Sequence, residues 1–150
     1  MLKQVKTTKW ELPGVPAGGL RTVGRIRGTN TLILHAGQNG MLVALELLST
    51  RTPGAPVVDD RNEFIGFISE FDVLRALEAG KDLSTLTAED IMVRERISVT
   101  AETTIEEAVK TMKERHLHNL PVKKDGRVAY SVTRHDLLRA WIGIGTAGEE

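Results

Sequence analysis

Gly66-Phe67-Ile68-Ser69-Glu70-Phe71-Asp72-Val73-Leu74 closes one segment of this 150-residue chain, and Tyr130-Ser131-Val132-Thr133-Arg134-His135-Asp136-Leu137-Leu138 closes another. Ser69 and Thr133, like Asp72 and Asp136, stand 64 positions apart. A repeat at such a period sets the architecture before any local reading does, because each copy is one unit that needs its neighbour to bury a face.

The match runs outward from these motifs. Met41, Ala44, Leu45 and Leu48 fall at i, i+3, i+4 and i+7, and Ile105, Ala108, Val109 and Met112 repeat that stripe, so both segments are expected to be helices buried along it. Further upstream, Ile26, Leu32 and Leu34 answer Ile91, Ile97 and Val99 at an offset of 65, as Pro56-Val57 answers Pro121-Val122. Strands are expected near 31–34, 55–58 and 64–68, and again near 97–99, 120–122 and 128–132. Asp59-Asp60-Arg61-Asn62 and Lys123-Lys124-Asp125-Gly126 supply turn residues between paired strands. The expected fold is therefore α/β (α+β): two tandem β-α-β-β-α units packed by their sheets with pseudo-two-fold symmetry. The units run over 23–86 and 87–142, with a basic arm at 1–22 and a flexible tail at 143–150.

Composition fits a folded body, with 41% hydrophobic and 27% charged residues. No apolar run is long enough to span a membrane, and none marks a signal peptide, so a cytoplasmic location is the default. The chain has no cysteine, which excludes disulfides, thiolate catalysis and cysteine-ligated zinc. Net charge is zero overall, yet residues 1–30 hold six basic side chains against the single acidic Glu11. That arm could touch nucleic acid, but a solvated extension is the simpler reading, and aromatics at 4% offer little for base stacking. His116 and His118 alternate along an extended segment, without a third ligand that would make them a metal site. No nucleophile, base and orienting group come together, so no catalytic residue is assigned and the chain is not read as an enzyme.

The repeated Ser/Thr-x-x-Asp has two readings. Each copy follows an apolar strand and precedes a helical pattern, so it matches a capping box that satisfies orphan amides. The same geometry suits a nucleoside phosphate. Free amides and the positive dipole end attract a phosphate, the hydroxyl adds a hydrogen bond, and the carboxylate accepts from ribose hydroxyls.

These residues resemble a known family. Gly54-Ala55-Pro56-Val57-Val58-Asp59 with the 66–74 motif, and Ala88-Glu89-Asp90-Ile91-Met92, Asn119-Leu120-Pro121-Val122 and Thr133-Arg134-His135-Asp136-Leu137-Leu138, are similar to a tandem pair of CBS (cystathionine beta-synthase) domains, or Bateman module, over residues 23–142. The resemblance implies a regulatory module that binds AMP, ADP or ATP, or sometimes S-adenosylmethionine or NAD, in clefts between the units. It further implies a homodimer signalling to a protein target not identifiable from the sequence. The candidate contacts are Thr133, Arg134, His135 and Asp136 with Ile97, Val99, His118, Asn119, Leu120 and Pro121, and in the other copy Ser69 and Asp72 with Gly54, Ala55 and Pro56. Charge favours the second site for a phosphorylated ligand, because Arg134 and His135 stand where the first copy has Glu70 and Phe71. Tyr130 departs from the family's glycine, kept at Gly66, and could either fill the ligand's approach or lie on the outer face of the strand. The alternatives are a nucleic-acid binder using the arm, and a structural dimerisation module with empty clefts.

Overall fold

The computed structural model describes residues 21–26 and 30–143; the basic stretch 1–20 and the tail 144–150 lie outside the described residues. A 3-10 turn at Val23–Arg25 leads into β1 (Leu34–His35), α1 (Gly40–Thr50), β2 (Gly54–Val58), β3 (Phe64–Ser69) and α2 (Glu70–Glu78). After a second 3-10 turn at Leu83–Thr85 come α3 (Ala88–Ile91), β4 (Val99–Thr100), α4 (Ile105–Arg115), β5 (Asn119–Lys124), β6 (Arg127–Thr133) and α5 (Arg134–Ile142).

Each unit forms a three-stranded sheet. In the first, β1 runs parallel to β2, which pairs antiparallel with β3; β4, β5 and β6 repeat that order. Parallel pairing demands a crossover, and α1 and α4 supply it. Both antiparallel ribbons shift register at equivalent places, between Val57 and Val58 and between Val122 and Lys123. The second ribbon closes through Asp125 and Gly126, both at positive φ (54° and 80°), the conformation that a tight two-residue hairpin requires. The first hairpin is one residue longer, which is why the repeat offset changes from 65 before it to 64 after it.

That shift corrects one expectation. Carrying the offset of 64 back into α1 put Met41, Ala44, Leu45 and Leu48 on the buried face, whereas Leu45 and Leu48 are 52% and 68% exposed and Met41 is also exposed. The buried residues are Gly40, Val43 and Leu47, which match the buried Ile105, Ala108 and Met112 of α4 at 65. Gly40 is required there, since a Cβ would lie 2.6 Å from the Leu83 carbonyl oxygen. The first strands are also shorter than expected: 31–33 and 97–98 are not strand residues.

The cores are not each built from one copy alone. Val23 and Ile26, from the start of the first unit, pack with Ile105, Ala108, Leu120, Val132 and Leu137 of the second. Their equivalents at 65, Ala88 and Ile91, pack with Val43, Leu47, Val57 and Ile68 of the first. Backbone hydrogen bonds repeat the exchange: Val23 N–H donates to Thr103 O (2.8 Å) as Ala88 N–H does to Gln38 O (2.8 Å), and Ile105 N–H to Arg21 O (3.0 Å) as Gly40 N–H to Leu86 O (2.8 Å). Each lead-in is a strap laid across the other unit. At the centre of the molecule, Asn119 Nδ2 donates to Gly54 O at 2.7 Å.

A candidate nucleoside cleft

Both Ser/Thr-x-x-Asp motifs are capping boxes. Asp72 N–H donates to Ser69 Oγ (3.2 Å) while Ser69 N–H donates to Asp72 Oδ2 (2.7 Å); the same pair in the second copy measures 3.2 and 2.9 Å. Helix capping therefore holds in each, and both aspartates are buried. The difference is in what remains available. In the first copy Ser69 Oγ also donates to Asp72 Oδ2 (2.9 Å), and Arg75 Nη2 pairs with Asp72 Oδ1 at 2.6 Å. In the second, among the described residues, Thr133 has no partner for its hydroxyl proton and Asp136 Oδ1 accepts no hydrogen bond. Arg139, the equivalent of Arg75, leaves a buried Nε without a partner.

A cavity of about 560 Å³ opens beside Thr133, walled by Asn30, Thr31, Leu32, Ile33, Thr50, Arg51, Thr52 and Pro53. Except for Thr133, its wall comes from the first unit. Sequence reasoning missed these residues because it looked for each motif's partners within the motif's own copy. Arg51, held at φ 54° as the C-cap of α1, is the cation at this cleft.

Several expected contacts lie elsewhere. Arg134 and His118 line a groove of about 700 Å³ between α4 and α5, together with Lys113, His116 and Trp141. His135 is exposed on α5. Ile97, Asn119 and Pro121 line a void of only about 40 Å³ beside Phe67. Leu120 and Val99 are buried in the second core and Ala55 in the first, because strand alternation turns them inward; Pro56 is fully buried as well. Gly54 lies beneath the Phe67 ring, 2.6 Å separating Cε2 from where a Cβ would stand. His116 is not in an extended segment but is the left-handed C-cap of α4. Among the described residues no three His, Asp or Glu side chains gather to hold a metal.

Tyr130 does not obstruct the cleft by replacing glycine: it packs against the second core, and burial raises its phenol above the usual value of 10.0. Gly66 is glycine for another reason. A Cβ there would lie 2.6 Å from both Met92 Sδ and Val93 O, where the lead-in of the second unit crosses the strand.

Two exchanged α/β units form a paired module with a cleft at a helix N-terminus. The chain belongs to the CBS-domain family, whose model matches residues 23–79 and 88–143. It is 32% identical over 92 residues to an uncharacterised protein of Methanocaldococcus jannaschii, covering 61% of this chain and 32% of that protein. With a second relative, from Methanopyrus kandleri, identity is 27% over 79% of this chain and 61% of the other, so the chain spans less than two thirds of either. Among solved structures it is similar to the CBS domain pair of protein MJ0100 in complex with 5'-methylthioadenosine and S-adenosyl-L-methionine, with a TM-score of 0.70, 26% identity and coverage of 80% and 94%. The fold also matches CBSX2 in complex with AMP, with a TM-score of 0.66, 23% identity and coverage of 79% and 94%. No helix among the described residues is long and apolar enough to cross a membrane.

Proposed function

We propose that the chain is a regulatory module that binds an adenosine-containing nucleotide, AMP, ADP or ATP, and passes its occupancy to a protein partner. The observation that carries this reading is the cleft of about 560 Å³ lined by Thr133 with Leu32, Ile33 and Pro53; among the described residues the Thr133 hydroxyl proton has no partner, nor has one carboxylate oxygen of Asp136, buried three residues further along. Amides at the start of α5 and the Arg51 guanidinium suit a phosphate, Asp136 suits ribose hydroxyls, and the apolar wall suits a purine face. Related CBS pairs carry adenosine derivatives, which supports the same ligand class. The chain acts by binding: a ligand that prefers one arrangement of the units shifts the population a partner encounters.

The functional form is a homodimer. Met41, Leu45 and Leu48 of α1 with Phe71, Leu74 and Leu77 of α2, and Leu138, Trp141 and Ile142 of α5, leave apolar helix faces in water. Such faces on both units call for a covering surface, and a second copy supplies one by closed symmetry. Calorimetry and thermal shift with AMP, ADP, ATP, S-adenosylmethionine and NAD test the ligand class. A ligand at 100 times its dissociation constant adds about 2.7 kcal/mol of stability; no response to any of them at millimolar concentration overturns the reading.

A further inference from the structure

Two clefts correspond by the repeat at three of their wall positions, yet one is open and the other is nearly filled. Glu95, Ile97 and Leu117, which line the void of about 40 Å³, are the counterparts of Asn30, Leu32 and Thr52, which wall the cavity of about 560 Å³. The two differ at one strand position, where a residue that lines the small void has a counterpart that does not line the cavity. Phe67 lines the small void and lies against Gly54; its counterpart 64 positions on is Ser131. Residues two apart share a strand face, so Ser131 sits on the face of Thr133, and its amide donates to Asn30 O at 2.9 Å. Ser131 is 1% exposed and its Oγ has no hydrogen-bond partner. A buried hydroxyl left unsatisfied carries a desolvation penalty, so this one, on the strand face of Thr133 and next to the Asn30 that walls the cleft, is poised for a partner the chain does not provide.

We infer that Phe67 closes the first cleft from within, and that one nucleoside ligand binds per chain, in the second cleft, where Ser131 stands in place of the ring and offers its hydroxyl to the ligand's base edge. This rests on the nucleotide-binding reading and assigns it to one site. The polar groups agree with the space. Where Phe67 fills the cleft, the Ser69 hydroxyl and both Asp72 oxygens are already engaged; where Ser131 replaces it, the Thr133 hydroxyl proton and one Asp136 oxygen have no partner among the described residues.

Calorimetric stoichiometry with AMP and with S-adenosylmethionine tests the assignment. Wild type should bind one ligand per chain, Phe67→Ser should gain a second, weaker site, and Ser131→Phe should weaken binding at least a hundredfold. Ser131→Ala, which keeps the fold, should cost AMP about tenfold, the weight of one hydrogen bond. Two sites in wild type, an unchanged single site in Phe67→Ser, or full affinity in both Ser131 variants overturns the inference while leaving nucleotide binding intact. Absence of binding in every variant overturns the functional reading instead. The plug is also measurable without nucleotide, since truncating a ring that fills an apolar cleft leaves a hole that benzene can enter. Benzene should shift the Ile97 and Leu117 methyl resonances in Phe67→Ala and not in wild type; unmoved methyls in the variant overturn the closure.

Discussion

Asn119 donates its side-chain amide to the carbonyl of Gly54 over 2.7 Å, and the two residues are each other's counterparts in the repeat, 65 positions apart. The pseudo-two-fold relation is therefore broken at its centre, where one copy supplies a donor and the other only backbone. Asn119→Ala should lower stability by about 1–3 kcal/mol, because it strands a buried carbonyl. Asn119→Asp should be worse at neutral pH and should recover as pH falls, since only the protonated acid can donate. Urea unfolding at pH 7 and pH 5 distinguishes these outcomes.

The two motif aspartates should separate binding from stability. Asp136→Ala should weaken AMP at least tenfold, with a stability loss near the ~1 kcal/mol of a lost cap. Asp72→Ala removes contacts to the Ser69 amide, the Ser69 hydroxyl and Arg75, and should cost more stability while leaving AMP affinity unchanged. Titration calorimetry beside thermal melts reads both quantities on the same samples.

Arg51 joins a charge at the cleft to an uncomfortable backbone. At φ 54° a side chain is disfavoured and glycine is at ease. Arg51→Gly should leave the melting temperature unchanged or raised, yet weaken AMP several-fold more than adenosine, which has no phosphate. Equal loss for both ligands would place the guanidinium away from the phosphate.

Ile26 belongs by sequence to the first unit and by packing to the second. Ile26→Ala should destabilise by about 2–5 kcal/mol, the range for opening a hole in a core. The loss of amide-exchange protection should appear first in β5 and β6 rather than in β2 and β3.

Leu48 is 68% exposed on α1, on the apolar face that the proposed dimer would cover. Leu48→Glu should produce monomers in sedimentation experiments with the ligand-free melting curve shifted only as far as dimer dissociation demands. A dimer that persists would place the interface elsewhere.

The repeat made the fold legible because strand, helix and motif recur at two nearly equal offsets, and the paired strands of each hairpin appeared where the turn residues placed them, while the first strand of each unit is shorter than expected. The buried face of α1 was lost to a single-residue difference between hairpins, which a period of 3.6 residues turns into a rotation of about 100°. The site was less legible. Thr133 stands at the cleft while Asp136 is buried and does not line it, the other walls come from the other copy, and nothing in a linear pattern announces that exchange. Arg134 looked like the phosphate partner from its position in the motif; one step along a helix turns a side chain to a new face, and it looks into the α4–α5 groove instead. The contrast between Phe67 and Ser131 was visible as letters and became a volume only once both strands had neighbours.

The exchanged lead-ins bear on how such a chain could have arisen. Val23 and Ile26 complete one core and Ala88 and Ile91 complete the other, so a lone unit would have a gap in its own interior and a spare strap with nowhere to lie. A single-unit ancestor could close that gap only by trading straps with an identical molecule. Gene duplication then would have joined partners that were already interlocked, turning an association that depended on concentration into one fixed by covalent linkage. Once joined, the halves no longer had to stay alike, and one could keep a serine where the other took up a phenylalanine.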